Sequence, residues 1–231
     1  MILRRGKGRN TKTMIKIENV DVYGWEAAIR GMRNPKNSWD SSDSEFVPWD
    51  NTDFKIGFAD FELMKKLCKA GTDHRKFMRM INVTADITAP LYWWKEYDTY
   101  KVGTVTNSCS TMHKIAAKKF TIDDFSHEHL LYSPMADVFQ IKSPLDVLYS
   151  VIDMLNLCRK KYLETKDKTY WWQMIQLLPS SYNQRRTVQL NYEVLANMYH
   201  ARNNHKLDEW REFCKWIEGL PHFKEICLGG N

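Results

Sequence analysis

The sequence predicts a single α+β domain, and three observations carry that prediction. Two segments, MIKIENVDVY (14–23) and FMRMINVTADITAP (77–90), alternate apolar and polar side chains with the two-residue period of a half-buried strand. Several others repeat apolar residues every three or four positions, as an amphipathic helix does. No internal repeat or low-complexity linker divides them, and 43% of the residues are apolar, enough for a packed core.

The elements follow in order. WEAAIRGMR reads as a short helix from Trp25, and residues 34–55, rich in Asn, Ser, Asp and Pro, as a long surface loop. DFELMKKLCKAG places Phe61, Met64, Leu67 and Cys68 on one side and stops at Gly71, a helix with its terminating glycine. In the second strand Ile81, Val83, Ala85 and Ile87 share a face, and Pro90 opens an aromatic helix with Tyr92, Trp93, Trp94 and Tyr97. The run Gly103–Ser110 that follows is small and polar, suited to a loop whose backbone N–H groups approach a ligand closely. Ser143-Pro144-Leu145-Asp146 supplies a cap, a first-turn proline and an acid. Leu145, Leu148, Ile152, Leu155, Cys158 and Tyr162 then keep helical spacing. After KDKT, YWWQMIQLLP is a shorter helix ended by Pro179, followed by a Ser/Asn/Gln/Arg loop. Asn191, Leu195, Met198 and Arg202 lie on one face of the next helix, and Leu207, Trp210, Phe213, Cys214 and Ile217 mark the last.

The net charge of +6 is local. Arg4, Arg5, Lys7, Arg9 and Lys12 fall in the first twelve residues with no acid, and removing them leaves +1. Residues 1–13 therefore read as a solvated or disordered basic tail, with the domain spanning 14–231. Nucleic acid is not the expected partner. No apolar stretch has the length of a membrane span and the start lacks a signal peptide's apolar segment, so the expectation is a cytoplasmic protein off the membrane. Five widely spaced cysteines without a C-x-x-C fit reduced thiols.

Two histidine pairs, His127 with His129 and His200 with His205, lack a third ligand at a recognised spacing, and solvated histidines are the plainer reading. Cys109 is a candidate nucleophile if Lys101 or His113 activates it, against the alternative of a small packed thiol. The block LLPSSYNQRRTVQLNYEVLANMYHAR (177–202) combines arginines suited to phosphate with asparagines suited to a base edge or cofactor amide. A capped helix with solvated polar residues explains that composition equally well.

IKIENVDVYGWEAAIRGMR, AGTDHRKFMRMINVTADITAPLYWWKEYDTYKVGTVTNSCS and the 177–202 block together resemble the flavin-dependent thymidylate synthase (ThyX) family, in its order and approximate spacing. The resemblance is remote and spans most of residues 15–217. It implies an antiparallel sheet packed with helices and a homotetramer with active sites between subunits. The reaction it implies is methylation of dUMP to dTMP, with FAD as cofactor and NADPH and methylenetetrahydrofolate as co-substrates. Arg202 falls on the family's nucleotide-binding arginine, and Asn191 and Asn197 on its flavin-contacting asparagines. Where the family reads Arg-His-Arg this chain has Thr99-Tyr100-Lys101, and the signature serine position is Cys109, flanked by Ser108 and Ser110. Glu96 replaces a glutamine, and Ile175 and Thr111 stand where phosphate-binding arginines are expected. Arg75, Arg185 and Arg186 are the cations that would compensate. The resemblance thus assigns Arg202, Glu96, Ser108, Cys109, Ser110 and Arg185 to substrate, and Asn191, Asn197, Lys101, Tyr100 and Thr104 to cofactor. The altered signature keeps two alternatives open: the same scaffold modifying another pyrimidine, or a non-catalytic descendant that binds a nucleotide.

Overall fold

A computed structural model describes residues 14–46, 54–133 and 143–229. The basic tail lies outside the described residues. Strands β1 (Lys16–Tyr23), β4 (Asn82–Pro90), β5 (Val105–Ser108) and β6 (Asn183–Asn191) form an antiparallel sheet in the order β1-β4-β6-β5. A two-stranded ribbon, β2 (Glu45–Phe46) with β3 (Phe54–Lys55), stands apart. The helices are α1 (Trp25–Arg33), α2 (Phe58–Lys69), α3 (Leu91–Tyr97), α4 (Thr111–Lys114), α5 (Pro144–Thr165), α6 (Lys168–Leu177), α7 (Tyr192–Arg202), α8 (Asp208–Glu218) and α9 (Phe223–Cys227).

Alternation decides which face of the sheet is buried. Val83, Ala85, Ile87 and Ala89 of β4 and Val188 and Leu190 of β6 are buried under helices. The intervening Thr84, Asp86, Thr187 and Gln189 lie on the more open face. β1 breaks its own alternation: its pairing with β4 shifts register between Glu18 and Asp21, where Asn19 has φ 51°. Val20 is consequently exposed while Ile17 and Val22 pack on the core. Under the sheet Trp93, Trp94, Tyr97, Trp210 and Phe213 interlock with ring centroids 4.8–6.5 Å apart, the offset and edge-on spacings aromatic rings prefer.

A second apolar cluster forms where α5 and α6 meet residues 115–125, through Phe120, Phe125, Ile152, Leu155 and Met174. The predicted start of α5 is realised as a reciprocal cap between Ser143 and Asp146 with Pro144 in the first turn.

Four expectations are corrected. Residues 183–190 are not a loop but most of β6, a central strand, because Gln184, Val188 and Leu190 carry a two-residue burial pattern that the polar neighbours obscure. Half of Gly103–Ser110, Val105–Ser108, is β5, an edge strand that among the described residues pairs only with β6. The described part of 34–55 holds two 3₁₀ turns and the β2–β3 ribbon. Its anchor is Asp60 of α2, fully buried, which accepts from Arg33 Nε at 2.6 Å, Ser42 Oγ at 2.7 Å and Ser44 Oγ at 2.6 Å. Finally α8 is not the last helix, since α9 follows and packs on α2, α7 and α8.

Candidate functional site

Two groups of the residues singled out above come together in separate places. The first sits where α3, α7 and α8 meet. Arg202, in the last turn of α7, donates from Nη1 to Glu96 Oε2 at 2.7 Å and from Nε to the Tyr100 hydroxyl at 2.9 Å. Its guanidinium lies 4.8 Å from the Trp210 ring centroid and 5.6 Å from that of Tyr100. The same Glu96 oxygen accepts from Trp210 Nε1 at 2.9 Å and meets His205 Nε2 at 3.3 Å. His205 Nδ1 accepts the Leu207 N–H, so Nε2 carries the proton directed at Glu96. Glu96 therefore makes Arg202 one half of an ion pair.

Beside this group, Gly103 (φ 76°) lies against the start of α7. A Cβ there would stand 2.9 Å from Val194 Cγ2 and 3.1 Å from Asn191 Nδ2, so only glycine permits the approach. Asn191 caps α7, its Oδ1 accepting the Val194 N–H at 3.0 Å. Thr104 Oγ1 donates to the Tyr100 carbonyl at 2.5 Å. Lys101 is exposed. Asn197 is exposed on α7 and accepts from Arg75 Nη2 at 3.3 Å, and Arg75 also pairs with Glu193 at 3.0 Å.

The second group forms a cleft of about 390 Å³ at the other end of β6, lined by Cys109, Ser110, Thr111, Lys114, Asn183, Arg185 and others. Ser110 caps the short α4 by accepting the His113 N–H, and Ser108 is exposed on β5. Cys109 is exposed and its carbonyl accepts from Gln184 Nε2 at 2.9 Å; the same Nε2 reaches Thr111 Oγ1 at 3.0 Å. Gln184 and Asn183 were not singled out from sequence. Gln184 is buried and also accepts from Arg186 Nε at 2.9 Å, so it ties β5, α4 and β6 together. Asn183 also lines the cleft, and its buried Oδ1 meets no donor among the described residues. Only recognition of β6 as a strand would have drawn attention to either.

The cations nominated to compensate for the missing arginines each have an acid. Arg185 meets Asp86 at 2.7 Å, Arg186 meets Asp98 at 2.7 Å while stacking 4.3 Å over Trp94, and Arg75 holds Glu193. Lys118, in the cleft, pairs with Asp124, whose hydrogen bond raises the lysine's pKa. Ile175 packs on the second apolar cluster. The histidines are dispersed: His127 Nδ1 meets the Phe125 carbonyl at 2.8 Å, His129 meets Asp208 at 3.1 Å, and His200 is exposed. Among the described residues no three His, Cys, Asp or Glu side chains gather as metal ligands, and no helix is long and apolar enough to cross a membrane.

No protein-family model and no curated protein matches the sequence. Solved structures do. Two structures of Thymidylate Synthase X from Helicobacter pylori, both with FAD and dUMP, superpose with TM-score 0.62 at 15% and 16% identity. They match 92% of this chain and 95% and 96% of theirs. A UMP/dUMP methylase, PolB from Streptomyces cacaoi, solved with 5-Br dUMP, superposes with TM-score 0.59 at 14% identity over 92% of this chain and 91% of its own. Nearly the whole chain, with its antiparallel sheet, aromatic helix and α7, thus has the fold of the flavin-dependent thymidylate synthases.

Proposed function

We propose that this protein methylates a pyrimidine deoxynucleotide, converting dUMP to dTMP with methylenetetrahydrofolate and NADPH, as a cytoplasmic homotetramer. The observation that carries the reading is a fold shared over nine-tenths of the chain with proteins solved with FAD and dUMP, and a cleft lined by Cys109 and Ser110, where the resemblance puts the end of the family signature, supports it. FAD, once reduced by NADPH, would supply the hydride.

The residues fit a flavin in outline. The close approach that Gly103 allows brings the backbone after Lys101 against Asn191, whose Nδ2 remains available because the cap uses Oδ1. Lys101, Tyr100, Thr104, Asn191 and Asn197 would hold the cofactor. Substrate would be oriented between subunits of the homotetramer, by Arg202 of one, with Glu96 fixing its guanidinium, and by Cys109, Ser110 and Arg185 of the cleft, with Ser108 beside it, of another. Cys109 needs no nucleophilic role in this reading.

The test is the visible spectrum of the purified protein, followed by denaturation. Flavin absorbance and released FAD are expected, and protein that stays colourless after incubation with FAD overturns the reading.

A second reading, the same scaffold acting on another pyrimidine, is favoured by one observation: Glu96 neutralises Arg202 and leaves its other oxygen as an acceptor, which suits an amino-bearing base edge. Labelled deoxynucleotides incubated with the folate and NADPH separate the two. Thymidylate as the sole product removes the second, and no product with bound nucleotide indicates the non-catalytic descendant.

A further inference from the structure

Helix α5 carries apolar residues on two sides, and the fold of one chain uses only one of them. Leu148, Ile152, Leu155 and Cys158 are buried in the second apolar cluster. Val147, Met154 and Leu157 lie on another side and are 51%, 48% and 51% exposed. With Ser150 and Lys161, both exposed, they step along the helix by three, four, three and four residues, the spacing of a coiled-coil seam. A helix apolar on more than its core-facing stripe is one that is covered on more than one side.

Charge selects what covers it. The first half of α5, Pro144–Met154, holds Asp146 and Asp153 and no cation. The second half, Leu155–Thr165, holds Arg159, Lys160, Lys161 and one acid, Glu164. Asp146, Asp153, Lys160 and Lys161 are exposed, and the Lys160 side chain stays 73% exposed even with Glu164 at 4.0 Å. In a parallel pair of such helices every charge meets its own kind. In an antiparallel pair Asp146 of each copy comes opposite Lys160 of the other, and only Asp153, beside the two-fold axis, meets itself. The seam suits the same arrangement: about an axis near Ile152, Val147 meets Leu157 of the other copy and Ser150 meets Met154, small against large. The helix is complementary to itself in one orientation.

We propose that the exposed seam of α5 is an interaction surface for a second copy of this chain, packed antiparallel about a two-fold axis near Ile152. The pairing bears on the cleft. Asn156 of α5 accepts the Phe120 N–H and donates to the Phe120 carbonyl, each at 2.9 Å, and Arg159 Nε donates to the Ala116 carbonyl at 3.0 Å. Ala117 and Phe120 line the cleft, so a helix held by its copy steadies that wall. This inference concerns self-association and does not depend on the flavin reading.

Sedimentation equilibrium of the full chain at micromolar concentration tests it. The mass of the native assembly is expected to fall by half in Met154→Lys and in Leu157→Lys, with circular dichroism unchanged. Two cysteine variants that leave the seam intact report the orientation even where a lysine variant unfolds. On mild oxidation and peptide mapping, Asp153→Cys links position 153 of two copies, and Lys160→Cys does not link position 160. A monomeric native chain, which would leave the seam to a different protein, overturns the proposal. So does a mass unmoved by both lysine variants in their folded state, or cross-linking at position 160 with none at 153.

Discussion

Helix α3 and the β5–α4 segment are separated by only a few residues, yet the two regions differ in almost every physical respect. In α3, Trp93 and Trp94 have no exposed surface and Tyr97 only 1%. From Val105 to Lys114 every residue is at least partly open, with Val105 64% and Met112 58% exposed. The first region holds the sheet and the helices together. The second is an edge strand followed by a capped turn whose Ser110, Thr111 and Lys114 line a cleft, and among the described residues no strand covers the other edge of β5. The lesson is that a site is built by placing an open, weakly packed segment on a neighbour whose rigidity comes from rings. An open edge beside exposed apolar residues is also the kind of surface another subunit would cover.

The comparison makes graded predictions. Trp93→Ala should cost about 3–5 kcal/mol of stability, since it removes a ring locked among Trp94, Tyr97, Trp210 and Phe213; chemical denaturation measures it, and a loss as small as a surface variant's would break the contrast. Thr111→Arg adds a cation to the cleft, where a charge-assisted phosphate contact is worth about 1.5–3 kcal/mol. Calorimetry should show dUMP binding roughly tenfold or more tighter, and no gain would argue against phosphate at this end of β6.

A subtler effect concerns acid. Asp86, on the open face, is held well below the usual carboxylate range by Thr187, Asn19 and Arg185. A group whose folded pKa is depressed stabilises above its unfolded pKa, about 4, and loses that contribution as pH falls toward the folded value. Asp86→Asn should therefore lower stability at neutral pH and flatten its decline below about pH 4, as read from denaturation midpoints across pH. Val105→Ser, at the open edge, should shift stability by no more than about 0.5 kcal/mol.

Much of the scaffold was legible in the residues. The alternation of 81–87, the cap and proline at 143–146 and the helical spacing of α5 and α8 are local patterns, and the structure realises each. The concealed strand was β6. Its run NQRRTVQLN reads as a polar loop because Gln184 and Arg186 share the inward side with Val188 and Leu190, and these two find partners in Cys109, Asp98 and the Trp94 ring. The site was legible as residue types and not as their partnerships.

Sequence by itself determined most of the helices, strands β1 and β4 and the face of β4 that turns inward, because periodicity and capping act within a few residues of chain. Only the tertiary structure decided that β6 is central and β5 an edge, that Arg185 meets Asp86 across 99 positions, and that Arg202 meets Glu96 across 106. Charge pairing and strand order depend on which surfaces folding brings face to face, and that is a property of the packed whole.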